Sequence, residues 1–119
     1  MNRVLDTNVV LYFLGGTLAE PLPEGAYHVS VITELELLSY PKLTSEQESA
    51  IGTFLGALKI VGLESRVKEA AIQLRRQHGL KLPDAIIAGT ALALGAELLT
   101  NDAQVAKVPG LPIRRMTLK

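Results

Sequence analysis

Short apolar runs alternate along the whole chain with segments of helical character, and this alternation constrains the fold more than any other feature. Arg3-Val4-Leu5 reads as a first strand, and Thr7 to Leu14 as a helix ended by Gly15-Gly16. Glu20-Pro21-Leu22-Pro23-Glu24-Gly25 is a loop, because two prolines and a glycine cannot extend a helix. Tyr27-His28-Val29-Ser30-Val31 is rich in β-formers and predicts a second strand, with a helix from Ile32 to Ser39 that stops before Pro41. Thr44-Ser45-Glu46-Gln47 is a capping-box pattern and opens a helix running to about Ala57. Lys59 to Leu63 predicts a third strand, followed by a helix from about Glu64 to His78 closed by Gly79. Pro83 suits the first turn of the next helix, where its missing N–H would be unpaired anyway. Gly95 ends that helix as a left-handed cap. Glu97 to Thr100 is a fourth strand, Asp102 to Val108 a short helix, and Ile113 to Met116 a last strand. Strands alternating with helices favour an α/β protein. The expected architecture is a three-layer α/β/α sandwich around a mostly parallel sheet of four to five strands, one domain over residues 1–119.

A chain of 119 residues buries most of its apolar surface without covalent staples. Hydrophobic residues make up 48% and aromatics only 4%, so the core must be aliphatic, and no aromatic platform for stacking bases is legible. The absence of cysteine excludes disulfides, thiolate zinc sites and a thiol nucleophile. With a formal net charge of zero, no global basic field draws the chain to nucleic acid or an anionic membrane. A nucleic-acid function must therefore rest on a local site. After Val4-Leu5 the charge at Asp6 interrupts any signal-peptide apolar core. The longest apolar stretch, Val9 to Leu14, falls far short of the about 20 residues that span a bilayer. A cytoplasmic protein with no membrane segment is the expectation.

The chain holds only three aspartates, and each stands where an apolar run gives way to a helical pattern. Asp6 follows Val4-Leu5, Asp84 follows Leu82-Pro83, and Asp102 follows Leu98-Leu99-Thr100-Asn101. Taken singly, each is explained as a helix cap or a first-turn anion favoured by the helix dipole. Taken together, they fall on the edge of an open parallel sheet where strand C-termini converge and ligands bind. Carboxylates gathered there repel one another unless a cation is present, which points to a divalent-metal site. A fourth acid should come from the segment after the second strand, where Glu34 and Glu36 compete. They stand about 200° apart on a helix, so only one can join the cluster. Ser30, Thr33 and Glu36 share a three-residue spacing that climbs one helix face, which favours Glu36 and leaves Glu34 an ordinary solvated charge.

These residues add up to a resemblance. Leu5-Asp6-Thr7-Asn8, Ser30-Val31-Ile32-Thr33-Glu34-Leu35-Glu36-Leu37, Leu82-Pro83-Asp84-Ala85-Ile86-Ile87-Ala88 and Leu99-Thr100-Asn101-Asp102 carry it, in an order and spacing that span nearly the whole chain. The chain resembles the PIN-domain ribonucleases, and among them the small VapC-type toxins of prokaryotic toxin–antitoxin pairs. The family pattern places its second acid before leucine after Thr-x-x, which selects Glu36. Asp6, Glu36, Asp84 and Asp102 then match the family's acidic positions, and Thr100 its accompanying hydroxyl. The resemblance implies Mg²⁺- or Mn²⁺-dependent endonucleolytic hydrolysis of RNA that leaves a 5′-phosphate. Asp6, Asp84 and Asp102 would coordinate the metal, Glu36 would orient or deprotonate the attacking water, and Asn8 and Thr100 would support them. It also implies a cognate antitoxin whose tail blocks the acidic pocket, and a homodimer. Many relatives carry a further acid and an aromatic shortly after the last aspartate. Here Gln104 and Val105 stand there, which leaves a second metal with fewer ligands.

Hard divalent cations prefer oxygen ligands and retain waters, so no histidine, serine or cysteine is required. His28 reads as a structural or partly exposed strand residue and His78 as a helix C-terminal charge. Arg75-Arg76, Lys81 and Arg114-Arg115 are the basic residues available to hold RNA. The run Val9 to Leu14, with Ile51, Phe54, Leu55 and Leu58, is core or a groove that receives an antitoxin segment. A receiver-type signalling domain needs an aspartate ending the third strand, and none follows Lys59-Ile60-Val61. A haloacid-dehalogenase-type phosphatase needs a second aspartate where Asn8 stands. The alternatives that remain are a housekeeping RNA-processing nuclease of the same fold and a catalytically silent RNA-binding module.

Overall fold

The computed structural model describes all 119 residues. Five strands, β1 (Asn2–Leu5), β2 (Ala26–Ser30), β3 (Lys59–Val61), β4 (Glu97–Leu99) and β5 (Ile113–Arg114), form one sheet in the order β3-β2-β1-β4-β5. Every pairing is parallel. Six helices connect them: α1 (Thr7–Leu14), α2 (Val31–Leu38), α3 (Ser45–Gly56), α4 (Ser65–His78), α5 (Leu82–Leu94) and α6 (Ala103–Ala106).

Successive strand residues point to opposite faces of a sheet, and this divides the core in two. Val4, Val61 and Leu98 pack with α4, α5 and α6 on one side, whereas Leu5, Val29 and Leu99 pack with α1, α2 and α3 on the other. The three-layer sandwich follows. Helix α5 is buried continuously from Ala85 to Ala91. Its small residues let α4 approach closely, and a Cβ at Gly89 would meet the Ala71 nitrogen and the Val67 oxygen at 3.1 Å.

Several element ends differ from the sequence reading. Val31 begins α2 rather than ending β2, because the Ser30 hydroxyl caps the helix by accepting the Ile32 N–H at 3.1 Å. Gly62 and Leu63 lie beyond β3. The last strand stops at Arg114. Beyond it Asn101 clasps Met116, accepting its N–H at 2.7 Å and donating to its carbonyl at 2.9 Å. The predicted capping box at Thr44 and Gln47 is present in full, and Gly79 and Gly95 adopt left-handed conformations at the ends of α4 and α5.

The chain winds outward from β1 through β2 to β3, then returns to place β4 on the other side of β1. The β1–β4 seam is thus a topological switch point, where loops leave the sheet in opposite directions and open a crevice.

Candidate active site

Asp6 and Asp102 leave the carboxyl ends of the two strands at that seam. Asp6 occupies the N-cap position of α1, yet its carboxylate makes no capping hydrogen bond. Its Oδ2 accepts instead from the Thr100 hydroxyl at 2.5 Å, while its backbone N–H extends the ladder to Leu99 O at 3.0 Å. The capping explanation for Asp6 therefore does not hold. It does hold for Asp102, whose Oδ1 accepts the Gln104 and Val105 N–H groups at 2.8 and 3.2 Å. The Asp102 backbone N–H in turn donates to Thr100 Oγ1 at 3.1 Å. Asp84 lies half-buried in the first turn of α5, directly after Pro83.

The fourth acid is Glu36. Its Oε1 accepts from the Thr7 hydroxyl at 2.7 Å, and Thr7 Oγ1 lies 3.0 Å from the fully buried Thr33 Oγ1. Asp6, Glu36, Asp84 and Asp102 line one pocket of about 350 Å³ together with Thr7, Asn8, Ser39, Tyr40 and Pro41. Glu34 does not reach it, and is half-buried in the first turn of α2 rather than an ordinary solvated charge. There the helix dipole favours a carboxylate.

The pocket is lined by four carboxylates and no cation. Burial raises the Asp6 pKa above the ordinary aspartate value, and the charges of Asp102 and Glu36 raise it further. The Thr100 hydroxyl and the nearby Thr7 N–H oppose that rise. Burial likewise raises Asp84, followed by repulsion from Asp102, Asp6 and Glu36, and Lys81 acts against them. Such an all-oxygen donor set fits a hard divalent cation and offers nothing to a soft one. As the side chains stand, no three of the acids converge tightly enough to enclose an ion. The fit is therefore to a cation that keeps several of its waters and takes only one or two carboxylates directly.

Other sequence expectations sort as follows. His28 is buried rather than partly exposed, and desolvation with the nearby Lys59 lowers its pKa. Arg114 donates its Nε to Glu97 Oε1 at 2.9 Å, an oxygen shared with Arg3, while the rest of its guanidinium faces solvent. Lys81 stands near enough to Asp84 to act on its charge, and Arg75 and Arg76 end α4. Val105 is a core residue and Gln104 is exposed. The sequence reading missed the hydroxyl chain from Thr33 through Thr7 to Glu36; the signal available was Thr7 beside Asp6 and Thr33 three residues before Glu36. It also found no aromatic near the acids, whereas Tyr40 lines their pocket.

The fold and the pocket together define an α/β sandwich protein with an acid-lined cleft at the carboxyl edge of a parallel sheet. The chain belongs to the PIN-domain family, whose model matches residues 3–111. A search of curated proteins found no match. Among solved structures, the chain is similar to VapBC2 from Rickettsia felis bound to a promoter DNA fragment, at 22% identity and TM-score 0.81 over 97% of this chain and 98% of that one. A toxin–antitoxin complex from Klebsiella pneumoniae matches at 29% identity and TM-score 0.77, covering 92% of this chain and 94% of that one. DNA-bound VapBC from Salmonella typhimurium matches at 20% identity and TM-score 0.82, covering 97% and 98%. The resemblance read from four short motifs is borne out at the level of the whole fold.

Proposed function

We propose that the protein is a metal-dependent endoribonuclease, the toxin of a type II toxin–antitoxin pair. The observation that carries this reading is a pocket with four carboxylates, two of them held above the ordinary aspartate pKa by burial and mutual repulsion, and no internal counter-charge. Asp6, Asp84 and Asp102 would hold Mg²⁺ or Mn²⁺ directly or through its waters. When bound, the ion would acidify a water and stabilise charge on the attacking and leaving oxygens of the phosphodiester.

The chain's own groups supply the rest. Thr7 fixes Oε1 of Glu36 and leaves Oε2 to accept a proton from the attacking water. Thr100 holds Oδ2 of Asp6 and orients the carboxylate. Capping engages Oδ1 of Asp102 and leaves its other oxygen for the pocket. Asn8 adds a neutral polar group to the lining. Lys81, whose charge acts on Asp84 from outside the lining, would meet a phosphate arriving there.

Partner binding forms part of the same reading. Phe13 is 43% exposed and touches Phe54 at 5.4 Å between ring centres, where α1 and α3 border a shallow, largely apolar groove. An antitoxin segment would bury that surface in the helix-in-groove manner. A homodimer would be seen by light scattering of the purified chain. No helix is long and apolar enough to cross a membrane.

The test is cleavage of a defined RNA by purified protein, with Mg²⁺, with Mn²⁺ and with chelator. The expected result is metal-dependent 5′-phosphate products that Asp6→Asn abolishes. Wild-type cleavage by Asp6→Asn would sink the assignment. Growth arrest relieved by the adjacent gene separates a toxin from an RNA processor.

A further inference from the structure

The acid-lined pocket has one neutral wall. Ser39, Tyr40 and Pro41, in the bend between α2 and α3, supply it, and Tyr40 is the single aromatic in the lining. Its side is 47% exposed, so folding leaves much of a large ring facing solvent beside four acids. The other aromatics are engaged elsewhere: Phe13 and Phe54 touch each other, Tyr12 packs half-buried against the core, and the Tyr27 hydroxyl donates to the Pro23 carbonyl.

The backbone that carries the ring is constrained on both sides. Helix α2 ends at Leu38 and Ser39 caps it, with φ −97° and ψ 6°. Pro41 restricts the residue before it to extended backbone. Lys42 then turns the chain in the left-handed region, at φ 64°, uncommon for a residue other than glycine.

No cation lines the pocket, so a substrate's phosphates find no arginine or lysine within it. The neutral part of a nucleotide is its base, and the neutral surface offered is a tyrosine face. Aromatic rings stack on any base, at about 5- to 100-fold in affinity per base.

We propose that Tyr40 is the base-stacking residue of this site, holding a nucleobase next to the phosphate that enters the acidic pocket. This rests on the nuclease reading above. Stacking is tolerant of sequence but grows with π-surface, so purines at this position are held better than pyrimidines.

The chain has no tryptophan, so Tyr40→Trp introduces a single indole as a reporter. Binding is measured in Mg²⁺ in a Glu36→Gln background, with single-stranded oligoadenylate and with an abasic ribose-phosphate oligomer of equal length. Oligoadenylate should quench the indole, and the abasic oligomer should not. Tyr40→Phe should keep the parent's affinity for oligoadenylate, whereas Tyr40→Leu should lose about 5- to 100-fold and bind the abasic oligomer as the parent does. Equal losses on both oligomers would overturn the proposal. So would unchanged oligoadenylate affinity in Tyr40→Leu while the unmutated protein cleaves RNA. In that case the nuclease reading stands, and Tyr40 belongs to the wall of a protein-binding groove with Leu11, Leu14 and Leu43. If the unmutated protein neither binds nor cleaves RNA, both readings fall together.

Discussion

The Thr100 hydroxyl donates to the Asp6 carboxylate at 2.5 Å and accepts the Asp102 backbone N–H at 3.1 Å, so one oxygen joins two of the three aspartates across the β1–β4 seam. Thr100 is fully buried and Asp6 nearly so. A hydrogen bond to a charged group contributes about 1.5–3 kcal/mol. Thr100→Val should therefore lower stability by about 2 kcal/mol in denaturant titration and move the acid limb of the cleavage profile to higher pH. Thr100→Ser should restore both.

Asp6 and Asp84 have folded-state pKa values raised above the unfolded ones, mainly by burial. Between the two values the folded state binds more protons than the unfolded state. Unfolding free energy must then fall as pH rises through that window, the reverse of a salt-bridged carboxylate. For the metal-free protein the expected result is a melting temperature that declines from just above the ordinary aspartate pKa upward. Asp6→Asn and Asp84→Asn should each flatten that decline. A divalent ion that binds the folded state alone should raise the melting temperature with concentration, more at neutral than at acid pH. A stability curve that climbs through the same interval in chelator would refute the electrostatic account of the pocket.

Glu36 and Glu34 stand two residues apart on α2, and only Glu36 lines the pocket and accepts the Thr7 hydroxyl. Positioned general bases contribute about 10²–10⁴-fold. Glu36→Gln should reduce kcat by that order while leaving thermal stability near that of the parent. Glu34→Gln should leave kcat unchanged. Thr7→Val should give a smaller loss in kcat, with RNA affinity retained, as expected for a residue that acts through Glu36. Steady-state kinetics on one RNA compares all three.

Gly89 and Gly52 separate a packing requirement from a helix propensity. A methyl group at Gly89 meets the backbone of α4 at 3.1 Å, whereas one at Gly52 of α3 meets nothing within 4 Å. Overpacking of a tight contact costs about 1–3 kcal/mol, so Gly89→Ala should destabilise by that amount. Gly52→Ala should stabilise by about 0.5–1 kcal/mol through helix propensity. Chemical denaturation of the two variants checks both signs.

Much of the architecture was legible because the signals are local. Thr44 and Gln47 cap α3 through contacts three residues apart, and Gly79 and Gly95 end α4 and α5 by a backbone conformation that glycine adopts freely. Element ends were less legible where a side chain replaced the expected ladder. Ser30 converts the end of β2 into a helix cap, and Asn101 takes both backbone groups of Met116. In the acidic pocket, spacing placed Glu36 on the face climbed by Ser30 and Thr33. The hydroxyl chain through Thr7 remained hidden, because Thr7 and Glu36 lie 29 residues apart.

The alternation of strands and helices, and the position of each aspartate after an apolar run, follow from the sequence itself, since both arise from hydrophobic periodicity and short-range capping. Which of the aspartates lining the pocket also caps a helix was decided only in three dimensions. Asp102 bonds within two and three residues of itself, but Asp6 finds its donor 94 residues away. That pairing exists only because the parallel sheet sets β4 beside β1, and Asp84 from α5 and Tyr40 after α2 line the same pocket. Sequence spacing cannot carry such contacts, because their energy comes from burial and charge shared between segments that meet only when the sheet closes.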